Sequence, residues 1–354
     1  MAEPIKITIS FMVEDKPTGG GNQFLRSLMG YFVKNHYYTE DVCDADVVLF
    51  NSHQNIKNVA HLKWKHPNCL FVHRIDGPIR LYNGFQDRRD SVAYTAMDQI
   101  ADGTIFQSEW SKKKNIELGI PITQFNATIT NAPDSEIFNR SGRKSRQLSS
   151  KIRLIATSWS HNWEKGFDVY QWLDNTLDFS KYEMIFVGNS PITFKNIRHI
   201  PPISSLELAE ELRKSDIFIT ASRLEACSNS LVEALHCGLP AIGPNHSSNP
   251  DIIGKGGEVF DHIEDIPALI DKIVQNYKEY QENIKQPCLE EIGKAYYDAI
   301  HVIYDELQKG AYVPKRLTLK GYIRVMWSLL TWKYHEKLLR SKTLFRDRII
   351  SLSR

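Results

Sequence analysis

"DIFITASRLEACSNSLVEALHCGLPAIG", residues 216–243, decides how this chain is read. Its first seven residues form a short apolar, β-branched run, the pattern of a buried strand. "NSLVEALHC" (229–237) has helical spacing, and Gly238-Leu239-Pro240 stops it before the next strand, "LPAIG" (239–243). Strand, helix and strand in this order make a parallel β-α-β unit. Two acids lie within it: Glu225 in the loop at the strand's carboxyl end, and Glu233 inside the helix. Ser230 and Glu233 fit a capping box, in which Glu233 reaches back to the Ser230 amide. The other reading is a ligand. Amides near Ser228, Asn229 and Ser230 face a cleft at a helix N-terminus, which suits an anion. Glu233, farther along, can accept hydrogen bonds from a vicinal diol such as ribose. A phosphorylated nucleoside matches both.

The same alternation extends in both directions. "IKITISFMV" (5–13), "DVVLF" (46–50), "CLFVHRI" (69–75), "GTIFQS" (103–108) and "NATIT" (126–130) read as strands, separated by helical patterns. Residues 141–151 belong to a basic, Ser-rich stretch that reads as a linker. Strands then resume at "IRLIATS" (152–158), "YEMIFVG" (182–188) and "RHI" (198–200). The expectation is an α/β chain of two doubly wound, Rossmann-like domains, 1–140 and 152–310, facing a cleft, with a tail at 311–354. Ligands of such sheets bind beyond the strands' carboxyl ends.

Bulk properties fit a soluble globular protein, 42% hydrophobic and 24% charged over 354 residues. Five scattered cysteines without a Cys-x-x-Cys pair argue against a disulfide framework or zinc cage and for a reducing cytoplasm. "MAEPIKITIS" lacks a signal peptide's pattern, and no apolar run reaches membrane-spanning length. The net charge of +2 hides an asymmetry. Residues 311–354 carry eleven Lys/Arg against two acids, +9, which leaves 33 basic and 40 acidic residues, −7, elsewhere. A basic tail on a mildly acidic body points to an anionic surface, not to nucleic acid.

The two acids, with seven residues between them, set between "DIFITAS" and "EALHCGLPAIG", resemble the Glu-x7-Glu signature of retaining glycosyltransferases of family 4, which have the GT-B fold. Further segments are similar to that family in order and spacing: "GGGNQ" (19–23), "ADGTIFQSEWSKKKNIELGI", "NAPDSEIF", "WEKGFD" and "PDIIGKGGEVF". The resemblance spans most of residues 5–260. It implies a sugar transfer with retention from a UDP- or GDP-linked donor, with no cofactor or metal, to a glycan or lipid-linked acceptor. It implies that Glu233 binds the donor ribose, Glu225 the transferred sugar and Lys165 the diphosphate. An Arg that the family usually carries five or six residues before the Lys is replaced by Trp159 or Ser160. Ser160 donors or Arg223 are the candidate substitutes.

Other residues extend the expected site. Gly20, Gly21 and Asn22 open a helix after the first strand, where glycines let the backbone approach a phosphate or sugar. His73, Arg74 and Asp76 end the third strand, His73 as a catalytic candidate and the other two on the acceptor side. Ile200, in "HIPPIS", falls where the family's base packs. Asp44-Ala-Asp46 precedes a strand and reads as a turn, not as a metal motif. In the tail, Leu319, Ile323, Met326, Leu330, Tyr334 and Leu338 recur at helical steps. That stripe packs on the first domain, lies on anionic lipid through residues 315–354, or does both, its first part packing and its basic end touching membrane. Two other functions remain open: a non-catalytic GT-B subunit that regulates a partner, and a sugar-nucleotide hydrolase or epimerase.

Overall fold

A computed structural model describes residues 4–11, 20–143 and 151–352, with side chains of the final helix described as far as 339. Gly19, the linker residues 144–150 and the basic side chains beyond 339 lie outside the described residues. Two parallel sheets form. The first runs β1 (Ile7–Ser10), β2 (Val47–Asn51), β3 (Leu70–Ile75), β4 (Gly103–Phe106) and β5 (Phe125–Thr128), paired in that order. A single bridge from Ile7 to Tyr38 extends it beyond β1.

The second sheet contains β6 (Ile152–Ser158), β7 (Tyr182–Gly188), β8 (Arg198–Ile200), β9 (Ile217–Ile219), β10 (Ala241–Pro244) and β11 (Gly257–Phe260). Their spatial order is β11-β10-β9-β6-β7-β8. The order reverses between β6 and β9, so the loops leaving those two strands diverge to opposite faces and open a crevice. Every predicted strand is present, and β11, read in the sequence only as a Gly-rich segment, adds an edge strand. The inner strands β2, β3, β4, β9 and β10 are buried on both faces because helices cover each side, which is why apolar residues dominate them, whereas the edge strands β5 and β8 are partly exposed. This is the GT-B architecture.

The domain boundaries differ from expectation at two places. Phe138 packs into the second core, and the helix Leu289–Gln308, assigned to the second domain, belongs to the first lobe. Its Leu289, Ile292, Tyr296, Ile300 and Ile303 form one face that packs against Ile7, Phe24, Leu28 and Phe32. Gly293 makes this approach possible: a Cβ there would lie 2.4 Å from the Tyr31 ring. The local pattern of a helix cannot show which sheet it covers.

The chain then stays on the first lobe. The Asp102 carboxylate accepts from the Tyr312 hydroxyl (2.9 Å), the Lys315 amide (2.7 Å), buried Lys63 Nζ (3.0 Å) and the Phe71 amide (2.8 Å), and so pins the segment that leads into the last helix. That helix, Leu319–Leu352, packs Val325, Leu329, Tyr322 and Met326 against the helices Ile56–Lys65 and Arg89–Ile100. Of the expected stripe only Met326 packs. Leu319, Ile323, Leu330, Tyr334 and Leu338 are exposed, as is Trp327. The helix carries two apolar rows about one residue out of step, and the packed row is the one that the spacing did not select.

Candidate active site

The site is built at the crevice between β6 and β9. Gly166 follows Lys165 with φ +79°, and a Cβ there would lie 2.2 Å from the Ala221 carbonyl oxygen. The loop after β6 therefore lies directly on the end of the β9 loop, and no other residue permits that contact. The result joins the two segments chemically. Lys165 Nζ lies 2.5 Å from Glu225 Oε1, which also accepts from Ser222 Oγ at 2.7 Å. The pair is about one-third exposed at the lysine and less at the glutamate, so it faces the crevice without being sealed from a ligand.

The helix after this loop is Asn229–His236, and its cap is Ser228, whose Oγ accepts from the Leu231 amide at 3.4 Å. Ser230 is therefore inside the helix, and the capping box with Glu233 does not form. Glu233 lies in the second turn, 7% exposed, and accepts no hydrogen bond among the described residues. Burial alone pushes its carboxyl up to about 8. A buried, unpartnered acid is destabilising, and this one is on the wall of the cleft.

That cleft has a volume of about 650 Å³, within the range of small-molecule sites. From the second lobe it is lined by Ser160, Lys165, Glu225, Ser228, Asn229, Ser230 and Glu233, and from the first by Gly21, Asn22 and Asp76. Gly20 begins the helix Gly20–Lys34. The lobes touch around it. Asn162 Nδ2 donates to the Tyr82 carbonyl (3.0 Å) and Asn83 Oδ1 (3.1 Å), and Asn131 Nδ2 donates to Asn229 Oδ1 (3.0 Å). The Asn229 side-chain oxygen is thereby tied to the first lobe.

Three expected site residues are elsewhere. His73 is fully buried within β3, where it stacks on Phe50 with ring centroids 4.1 Å apart and Nε2 lies 2.8 Å from the Ser52 carbonyl. Burial pulls its pKa down to about 3, so the ring is neutral near neutral pH and away from the cleft. Alternation along the strand explains it: His73 points into a core face. Arg74 is also fully buried and works beneath the site, donating to Asn51 (2.6 Å), Asn131 (2.8 Å) and Asp76 (3.0 Å). It sets the position of Asp76, which does reach the cleft. Ile200 ends β8 and packs against the second core, while Leu208 and Ser205 line the cleft near it.

The position of the expected Arg is resolved in part. Arg223 turns away to Asp168, 2.5 Å, and is not on the cleft wall. Trp159 and Ser160 are on it, together with a cation from the opposite lobe, Arg89, which is ion-paired with Asp87 at 2.6 Å. Arg89, Tyr82, Asn51, Gln107 and Trp110 line the cleft without having been singled out in the sequence. Gln107 and Trp110 fall in a segment quoted for the resemblance, but nothing local singles out these side chains as cleft residues. Among the described residues no group of three His, Cys, Asp or Glu side chains converges as a metal-binding cluster. Asp46 accepts from the Lys6 amide at 2.8 Å and belongs to a turn.

Residues 194–287 match the family model described as "Glycosyl transferases group 1". No curated protein sequence matches the chain significantly. Among solved structures, HepE of Anabaena in complex with UDP and glucose superposes with a TM-score of 0.62 at 13% identity, covering 87% of this chain and 99% of that one. Sucrose-phosphate synthase from Thermosynechococcus elongatus gives 0.58 at 11%, covering 96% and 100%. The lipopolysaccharide outer core galactosyltransferase WaaB, in its apo form, gives 0.60 at 12%, covering 85% and 99%. At these identities the likeness is one of fold. A group 1 glycosyl transferase segment that supplies the β9 loop, Glu225 and Glu233 to the cleft of a GT-B fold makes the protein a glycosyltransferase.

Proposed function

We propose that the protein transfers a hexosyl unit, with retention, from a nucleotide-diphosphate sugar to a hydroxyl of a glycan or glycolipid in the synthesis of a surface polysaccharide. The observation that carries this reading is the buried Glu233 carboxyl, without a hydrogen-bond partner among the described residues, in the same cleft wall as the Lys165–Glu225 pair. It supplies acceptors for the ribose diol of a UDP- or GDP-linked donor. The first amides of the helix and Lys165 meet the diphosphate, and Glu225 is left to hold the sugar's hydroxyls. When phosphate takes Lys165, Glu225 exchanges a cation for hydroxyl donors, so the free protein keeps both groups satisfied until the donor arrives.

Transfer then needs charge stabilisation more than a protein nucleophile. As the C1–O bond to phosphate breaks, negative charge develops on the diphosphate, and Lys165 with the helix amides is the group set that would stabilise it. The acceptor oxygen bonds C1 from the same face, and its proton passes to the departing phosphate oxygen. No metal ion or further cofactor enters this proposal.

The acceptor is placed at an anionic membrane surface, at the cytoplasmic face. The exposed row Leu319, Ile323, Trp327, Leu330, Tyr334 and Leu338 supports this, bordered by Lys320 and Arg324 on one flank and Lys333 and Lys337 on the other. No helix among the described residues is long and apolar enough to cross a membrane. The test is a thermal-shift panel of UDP- and GDP-linked sugars, followed by donor consumption with and without lipid-linked acceptor. A donor at a hundredfold its Kd stabilises by about 2.7 kcal/mol. Absence of any stabilisation, or donor loss indifferent to acceptor, refutes the reading.

A further inference from the structure

The chain after Tyr82 leaves the cleft and turns toward the last helix. Between them runs a second groove of about 460 Å³. Asn83 lines both the groove and the cleft, and Asn162 of the second lobe donates to its Oδ1 at 3.1 Å. The groove therefore adjoins the cleft at Asn83, where the two lobes meet. Two rings line it: Phe85, 76% exposed, and Trp332, whose indole meets the His53 ring edge-on at 5.4 Å. Around them stand Gln86, Arg88 and His335, whose side chains have no hydrogen-bond or ion-pair partner among the described residues.

Flat apolar rings bordered by uncommitted amide, guanidinium and imidazole groups match one ligand chemistry. A pyranose presents C–H faces to rings and hydroxyls to a polar rim. A lipid chain would use the rings but leave the polar side chains desolvated without partners, which is costly. The groove's helix residues Trp332 and His335 are also on a different face from the exposed row Ile323, Leu330 and Tyr334, by their spacing along the helix. We propose that this groove is a saccharide subsite that holds the sugar units behind the reacting one, so that the acceptor is an oligosaccharide. The inference rests on the cleft being the transfer site.

The full chain is applied to a glycan array graded from mono- to hexasaccharides, with UDP-sugar thermal shift measured in parallel. Retention is expected to rise about tenfold or more from mono- to trisaccharides, the scale of one well-placed anchor. Phe85→Ala and Gln86→Ala change exposed side chains, so folding is not at stake. Each is expected to bring trisaccharide retention down to the monosaccharide level while the thermal shift stays unchanged. Retention independent of length, no retention of any glycan, or unaltered length dependence in both variants overturns the subsite. So does Phe85-dependent binding to vesicles of phosphatidylglycerol and phosphatidylcholine, which would assign the groove to lipid. Failure of the thermal shift alone counts against the donor reading and leaves the groove result standing.

Discussion

Replacing Glu233 with Gln keeps the side chain's shape and removes its ionisation. In the free protein burial lifts the carboxyl from its usual 4.5 to about 8. Between those values the native state holds a proton that the unfolded chain has released, so stability is fully present below pH 4.5 and is lost as pH rises toward 8. At 1.36 kcal/mol per unit, the wild type loses about 3.5 kcal/mol between pH 5 and pH 8 from this group. The variant loses none of it, so its relative stability should climb by that amount, roughly 7–14 °C in Tm for a lobe of this size. The transition to follow is the one that unfolds the second lobe, because two lobes need not unfold together. Affinity for the nucleotide sugar should move the other way, falling about tenfold or more with the loss of hydrogen bonds to a charged acceptor. A diol that donates both hydroxyls favours the ionised form. Titration calorimetry in buffers of different ionisation heat should therefore show release of up to about one proton on binding at pH 7. A stability gap that does not change with pH refutes the reasoning. A gap of the opposite sign would mark a capping carboxylate.

Lys165→Ala should slow transfer and weaken nucleotide-sugar binding by about 10- to 150-fold, the range of one charge-assisted hydrogen bond; steady-state kinetics with Lys165→Arg as partial rescue checks it. Gly166→Ala places a Cβ 2.2 Å from the Ala221 carbonyl oxygen at φ +79°, so it should lower the second lobe's Tm and reduce transfer together; retention of wild-type activity would mean that the β6–β9 loop contact does not position Lys165. Ile323→Lys with Leu330→Lys alters two exposed residues, so cosedimentation with phosphatidylglycerol vesicles should be lost at unchanged Tm. Unaltered cosedimentation would show that the exposed row is not the membrane-facing surface.

Parallel α/β folding was legible in the chain because strand and helix periodicities are local, and strands buried on both faces leave continuous apolar runs. Glu225 and Glu233 stood out by their place after the carboxyl end of a parallel strand, and Lys165 by the family resemblance. All three line the cleft beside the reversal at β6 and β9, and their roles there are the ones proposed above. What a local pattern could not decide is which of two apolar rows finds a partner. The last helix offered both, and packing against the helices Ile56–Lys65 and Arg89–Ile100 selected the row that contains Val325 and Leu329. His73 and Arg74 were misplaced for the same reason, since strand-end position does not say which side chain turns inward. The capping box failed on register: the helix begins one step after Ser228, so Ser230 is already inside it. Burial, partnership and the meeting of Tyr82 and Asn83 with Asn162 of the second lobe are long-range outcomes. They depend on how two sheets are set against each other, which the order of residues along either sheet does not encode.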